Sequence, residues 1–121
     1  KAHHKGPSSA FAKSVAKALS AWANHQPKAL DDVGVFVQGT EFQRKILKKM
    51  RDISFGNTVT YGQLASRSGY PQAHRAVANV CAKNRIPLII PCHRVIKSDG
   101  SVGGYFYGSE LKQQLLTFEV S

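Results

Sequence analysis

The stretch Thr60-Tyr61-Gly62-Gln63-Leu64-Ala65-Ser66-Arg67-Ser68-Gly69 decides the fold. Thr60 can cap a short helix over residues 61–68, and Gly69 suits its end, because glycine takes the left-handed conformation that closes helices. Pro71 then suits the first turn of a second helix, running to about Lys83. In that helix Ala76, Val77, Val80 and Cys81 fall on one face, while Gln72, Arg75 and Asn79 share another that looks outward. A short helix, a glycine turn and a second helix with a polar face make a helix-turn-helix pattern. Many helical hairpins look alike, so the charge decides. The chain has 121 residues and a formal net charge of +10, with a pI near 10.0. For so small a domain this favours a polyanion, nucleic acid first, as partner.

Upstream, Thr40 followed by Gln43 is a capping-box pattern. Phe42, Ile46, Leu47, Met50 and Ile53 then mark the buried face of a helix ending near Arg51. Arg44, Lys45, Lys48, Lys49 and Arg51 take the opposite, solvated face. Before it, Phe11, Val15, Leu19 and Trp22 stripe a helix over residues 10–24 that Ser8 or Ser9 can cap. Val35-Phe36-Val37 reads as a short extended piece, and His3 and His4 receive no role.

Downstream comes Ile89-Ile90-Pro91-Cys92-His93-Arg94-Val95-Ile96. An apolar run of this length would ordinarily be a short buried strand. Cys92 alone reads as a core thiol. Burying His93 and Arg94 beside it requires partners for their charge, so the run is either a strand end at a surface or the floor of a site. Gly103-Gly104-Tyr105-Phe106-Tyr107-Gly108 follows, a bent wall able to accept a flat ligand. Ser109 is expected to cap a last helix with Leu111, Leu115, Leu116 and Phe118 inward. Glu119 ends it, where a carboxylate opposes the helix dipole and so points to a cationic or histidine partner elsewhere.

Composition narrows the chemistry. No apolar run is long enough to span a membrane, and no signal-peptide pattern is present. The two cysteines, Cys81 and Cys92, lie eleven apart, which fits neither a disulfide framework nor a zinc site. A reducing, intracellular setting fits best. Cys81, on the apolar face of its helix, reads as core. Cys92, His93 and Glu119 are the types needed for an activated thiol. A histidine takes the thiol proton and a carboxylate holds the imidazolium. Neighbours on a strand point to opposite faces, so contact between Cys92 and His93 needs a turn or a bridging water.

From Gly39 to Glu119, about two thirds of the sequence, the chain resembles the C-terminal domain of the O6-alkylguanine-DNA alkyltransferases. The resemblance rests on Gly39-Thr40-Glu41-Phe42-Gln43, Thr60-Tyr61-Gly62-Gln63-Leu64-Ala65, Arg75-Ala76-Val77, Asn84, Ile90-Pro91-Cys92-His93-Arg94-Val95-Ile96, Gly103-Gly104-Tyr105 and Leu115-Leu116-x-x-Glu119, in order and at matching spacing. It implies a mainly α fold, a winged-helix-like helix-turn-helix DNA-binding domain with a short β element. It implies double-stranded DNA carrying O6-alkylguanine as partner. Thr60, Tyr61, Gln72 and Arg75 would bind the DNA, Tyr61 crowding the target phosphate and Arg75 filling the space of the extruded base. Cys92 would take the alkyl group irreversibly, once per molecule. His93, through a water and held by Glu119, would remove the thiol proton. Asn84 would brace the turn, Tyr105 would stabilise the leaving guanine, and backbone groups at Cys92 and Val95 would read the base edge. Tyr61, Val95, Tyr105, Phe106 and Tyr107 would line the pocket. No metal or cofactor is implied.

Some positions depart from the family pattern. Phe106-Tyr107 stand where many members carry small residues, which predicts a narrow pocket preferring methyl over benzyl adducts. Arg85 stands where proline is common, which would loosen the turn without removing activity. Residues 1–38 are expected to be an N-terminal arm with one helix, a possible remnant of a larger domain, and 39–121 the catalytic and DNA-binding domain, acting as a monomer. The compartment would be cytoplasm in a bacterium or archaeon and nucleus in a eukaryote. Cys92 argues against the alkyltransferase-like binders, which usually carry tryptophan there. A helix-turn-helix regulator with a structural cysteine stays open. A cysteine hydrolase would need an oxyanion hole, for which no motif is found.

Overall fold

The computed structural model describes residues 9–35, 37–84 and 86–121. His3, His4, Ser8, Phe36 and Arg85, with the side chains of Ser9 and Phe11, lie outside the described residues, and so do the readings that rest on them. The chain divides into two compact units, Lys1–Gly34 and Val35–Ser121. The first carries helix α1 (Ser9–Ala23), followed by turns in which His25 takes a left-handed φ of 60°. Among the described residues no helix is long and apolar enough to cross a membrane.

The second unit begins with α2 (Glu41–Arg51), closed at its start by the expected capping box. Gln43 N donates to Thr40 Oγ1 at 3.1 Å and Thr40 N donates to Gln43 Oε1 at 2.8 Å. Ile46 and Met50 are fully buried and Ile53, just past the helix, nearly so, with Phe42 and Leu47 packed alongside. Strand β1 is the pair Val59–Thr60, and α3 (Tyr61–Arg67) starts at once from Thr60. Thr60 repeats the capping box with Gln63, at 3.0 and 2.8 Å. Gly69, at φ 92°, ends the helix in a Schellman motif, with Tyr70 N donating to Ala65 O at 2.9 Å and Gly69 N to Ser66 O at 3.1 Å.

The second helix of the pair is shorter than expected. Ala73 N donates to Tyr70 O at 2.9 Å, so Pro71 and Gln72 are the middle of a turn, a place that suits proline, and α4 runs only over His74–Ala82. Gln72 therefore precedes the helix and does not share a face with Arg75 and Asn79. Val77, Val80 and Cys81 are buried as expected, whereas Ala76 is exposed.

Ile89–Ile96 is not a continuous strand. Cys92–Arg94 form one turn of 3₁₀ helix, and only Val95–Ile96 are extended, as β2. β2 pairs in parallel with β1, Val59 opposite Val95 and Thr60 opposite Ile96. The last helix, α5, spans Ser109–Val120. Ser109 is its first residue and not its cap, since Gly108, at φ 103°, occupies that place without a side-chain bond. Its inward stripe also differs from expectation. Leu111 is 40% exposed, while Lys112 and Glu119 are buried and Leu115, Leu116 and Phe118 half-buried. Positions 112, 115, 116 and 119 lie on one helical face, so the face that turns inward carries a charge at each end.

Candidate active site

Cys92 sits at the start of the 3₁₀ turn with 1% of its surface exposed. The turn is fixed from both sides. Asn84 Nδ2 donates to Ile90 O at 2.8 Å, and Ile86 N donates to Asn84 Oδ1 at 3.0 Å, so a single buried side chain closes the loop that delivers the cysteine. Leu88 within this loop has a φ of 71°, a conformation unfavourable for a residue with a Cβ, and the loop's bonds hold it there. Burial pushes the thiol up from its ordinary range. Hydrogen bonding from the Asn84 side chain, the charge of Lys112 and hydrogen bonding from Tyr105 act the other way without cancelling it. The resting group is a thiol, so reaction requires a base.

A residue type able to serve as one is adjacent. His93 is fully buried, and its Nε2 lies 3.0 Å from Glu119 Oε2. The contact has ion-pair length without hydrogen-bond alignment, and Nδ1 is buried without a hydrogen-bond partner. Glu119 is shared. Arg94 Nε donates to its Oε1 at 2.9 Å and Nη2 to its Oε2 at 2.8 Å, while Nη1 donates to Ile53 O at 2.7 Å. The fork of the guanidinium matches the carboxylate and takes both oxygens. Arg94 and His93 are thus both sealed in the interior on one carboxylate. Of the two readings of this run, the strand end at a surface fails, because the run does not open to solvent at these charges. The 3₁₀ turn, by putting consecutive side chains on neighbouring directions, lets both reach α5.

Tyr61 and Tyr105 are half-buried. Burial raises the Tyr61 phenol to about 12 and pushes the Tyr105 phenol up still further, so both stay protonated donors at neutral pH. The Tyr61 hydroxyl is not simply free to meet a phosphate, because it lies 3.5 Å from Gly104 O and accepts from Lys112 Nζ at 3.3 Å. Gly103 is obligatory here: its φ is 75° and a Cβ would stand 2.9 Å from the Tyr61 hydroxyl. Beyond Tyr105, Tyr107 packs edge-on at 5.6 Å and Phe106 against Tyr107 at 4.8 Å. Val95 is fully buried behind the turn. Arg75 and Gln72 are exposed, and Arg75 lines an open cleft of about 510 Å³ with Tyr61, His74, Lys97, Gly103 and Gly104. Thr60 is occupied in its capping box.

The structure therefore brings Cys92, His93, Glu119, Asn84 and Tyr105 together and leaves Gln72 and Arg75 at the surface. Two residues were missed. Arg94 was flagged as a charge in need of a partner, and Glu119 likewise, but the two were not joined. Lys112 gave one usable signal, its place seven residues before Glu119 and so on the same helix face.

Comparison with known proteins finds relatives in both sequence and fold. The family described as "6-O-methylguanine DNA methyltransferase, DNA binding domain" matches residues 41–121. The "Bifunctional transcriptional activator/DNA repair enzyme Ada" of Escherichia coli is 48% identical over 83 residues, 69% of this chain and 23% of that protein. A methylated-DNA–protein-cysteine methyltransferase of Methanosarcina acetivorans is 38% identical over 111 residues, 92% of this chain and 70% of its own. Against the mimivirus and baker's yeast relatives the chain spans 55% and 45% of their length. The crystal structure of Mycobacterium tuberculosis OGT in complex with DNA superposes with a TM-score of 0.84 at 35% identity, over 89% of this chain and 66% of that one. By sequence and by fold, the chain belongs to the 6-O-methylguanine DNA methyltransferase family.

Proposed function

We propose that the protein repairs double-stranded DNA by moving the alkyl group of O6-alkylguanine onto Cys92, once per molecule. The observation that carries this reading is the buried Cys92 thiol beside a His93–Glu119 pair whose Nδ1 is left without a partner. A water placed between Nδ1 and the thiol would carry its proton to His93, and Glu119 would hold the imidazolium. The thiolate then attacks the alkyl carbon, the S–C bond forms as the C–O6 bond breaks, and the guanine anion takes a proton. Tyr105, a protonated phenol beside Cys92, suits that donation. The thioether has no thiol positioned to reverse it, so the protein ends as an alkylated product. No metal or cofactor has a step in this chemistry.

The base must leave the duplex to reach a buried thiol, and extrusion costs a few kcal/mol. Arg75, exposed on α4 at the cleft, is suited to fill the gap, with Tyr61 at the cleft wall and Thr60 and Gln72 nearby in the helix-turn-helix. Duplex DNA as partner also fits the charge of +10. Phe106 and Tyr107, stacked outward from Tyr105, favour methyl over benzyl adducts. The N-terminal unit is proposed as an arm separate from this chemistry, the protein acts as a monomer, and it works wherever the cell keeps its DNA.

The test is intact mass after incubation with a duplex carrying O6-methylguanine. One methyl gained, and lost in Cys92→Ser, is expected; no mass change, or repeated turnover in a titration, refutes the reading. Inactivation by O6-benzylguanine as fast as by methylated DNA refutes the narrow pocket.

A further inference from the structure

The positive charge of this domain is concentrated on a helix outside the helix-turn-helix. α3 and α4 together carry two formal charges, Arg67 and Arg75, and the cleft beside Arg75 adds Lys97. The 11 residues of α2 carry five cations, Arg44, Lys45, Lys48, Lys49 and Arg51, against the single acid Glu41. While α2 buries Ile46 and Met50, it leaves Arg44, Lys45, Lys48 and Lys49 exposed.

A helix face that only meets water gains by mixing signs. Residues three and four apart are neighbours on a helix, so Arg44 faces Lys48, Lys45 faces Lys48 and Lys49, and Lys48 faces Arg51, all pairs of like charge that repel. The fold occupies two of these cations. Arg44 Nη1 donates to Gly39 O at 2.9 Å, and Lys45 Nζ lies 3.3 Å from Glu41 Oε2. Lys48 and Lys49 make no ion pair among the described residues. Their place in the last turn suits the helix dipole, which offsets part of the repulsion. An anion from outside the chain would relieve the rest.

The stripe begins beside the helix-turn-helix. The Phe42 ring meets the Tyr70 ring edge-on at 4.8 Å, and Lys45 Nζ stands 5.7 Å from the centre of the same ring. Tyr70 opens the turn between α3 and α4, where Pro71 and Gln72 are exposed. Lys48 and Lys49 lie about one helical turn beyond Lys45, so the basic surface continues outward from that turn.

We propose that Lys48 and Lys49 hold backbone phosphates of the duplex that flanks the base being read, on the side of the turn at Tyr70. The inference rests on duplex DNA being the partner. The two ammonium groups read no sequence and touch no reacting atom. They lengthen the footprint and hold the duplex while α4 searches it, as phosphate contacts position a protein without specifying a base. The sparse charge of the helix-turn-helix is thereby supplemented from the neighbouring helix.

The experiment measures duplex affinity against salt for the unmutated protein, for Lys48→Gln with Lys49→Gln, and for Lys48→Arg with Lys49→Arg. Losing two phosphate contacts should make the slope of log K against log salt shallower by about 1.8, which weakens binding about thirtyfold at 0.15 M salt and leaves it nearly unchanged at 1 M. The arginine pair should keep the original slope, and so should Lys13→Gln with Lys17→Gln, which removes two exposed charges from α1. The loss should appear on a duplex of about thirty base pairs and vanish on one of about ten, a single helical turn. Equal slopes in the unmutated and glutamine proteins overturn the proposal. So does an equal change in the α1 control or the arginine pair, or an equal loss on the short duplex. Sedimentation showing two long duplexes on one unmutated protein also overturns it, by placing the phosphates on a second molecule. Methyl transfer is followed in the same samples: the glutamine pair should raise the half-saturating concentration of O6-methylguanine duplex and leave the rate at saturation unchanged. If the slopes differ but the unmutated protein transfers no methyl, the repair function fails and the phosphate surface stands. If methyl is transferred and the slopes agree, the surface alone fails.

Discussion

Replacing Glu119 by glutamine should unfold the domain more than it should disturb any surface. The side chain is 1% exposed, and its two oxygens meet Arg94 at 2.9 and 2.8 Å and His93 at 3.0 Å. Removing the charge leaves the Arg94 guanidinium, itself 8% exposed, inside the protein without its anion. Breaking a buried pair by deleting one partner typically costs about 3–5 kcal/mol, most of it the desolvated charge left behind. With a urea slope of about 1.5–2 kcal/mol/M for a domain of this size, the unfolding midpoint should fall by roughly 2–3 M. Arg94→Met should lose a similar amount, because it strands Glu119 and also the Ile53 carbonyl, which Arg94 Nη1 reaches at 2.7 Å. The double variant removes both charges together. Its loss should fall short of the sum of the singles by about 2 kcal/mol or more, the signature of two groups in direct contact. Urea unfolding followed by far-ultraviolet circular dichroism measures all four proteins. Single losses below about 1 kcal/mol, or strictly additive losses, would refute the reasoning that Arg94, more than His93, is what Glu119 stabilises.

Asn84→Ala strips the reactive loop of the bonds at Ile90 O and Ile86 N. A loss of about 2–4 kcal/mol is expected from two stranded backbone groups, with faster amide exchange at Ile86; unchanged exchange there contradicts the bracing role. Cys81 bears on alkaline stability. Burial raises its thiol from 9.0 to about 12, so the folded chain holds this proton more tightly than the unfolded one. The stability it contributes is full below pH 9 and lost as the pH climbs towards 12, by roughly 4 kcal/mol at complete ionisation. Cys81→Ala should therefore decline less steeply over that window, and parallel profiles for the two proteins would count against it.

Elements that advertise themselves locally were legible. Both capping boxes or caps at Thr40 and Thr60, the glycine stop at Gly69 and the buried faces of α2 and α4 depend on residues within one or two turns of each other, and sequence spacing reports such things directly. What sequence could not carry was competition between partners. Glu119 was read as the anchor of His93, and it is, yet Arg94 holds both its oxygens. The choice between two neighbouring cations depends on a 3₁₀ turn that an apolar run of this length does not announce. The same limit explains α5. Three leucines and a phenylalanine outweighed Lys112 on hydrophobicity alone, whereas the helix turns so that its two inward charges meet groups more than forty residues upstream or across the reactive turn. Pro71 illustrates a smaller ambiguity, since the same fixed φ suits the first turn of a helix and the second position of a tight turn.

The parallel pairing of β1 with β2 is only two residues long on each side, yet it fixes a distance budget between reading and reacting. Thr60 ends one strand and caps the first helix of the helix-turn-helix, and Val95 begins the other immediately after Cys92–Arg94. The first helix of the helix-turn-helix and the Cys92 sulfur thus leave the same ladder in opposite directions along the chain. Length can vary between them in the turn at residues 70–73 without altering their separation, as loop insertions far from a fixed anchor cost little, whereas the loop after Asn84 is held by the bonds to Ile90 O and Ile86 N. A single residue gained or lost between Cys92 and Val95 has no such freedom. It would break the 3₁₀ turn that joins the cysteine to β2 and move Cys92 relative to the ladder. The domain behaves as a caliper whose jaws are set by four residues, tolerant of wear along its arms and intolerant of any change at the hinge.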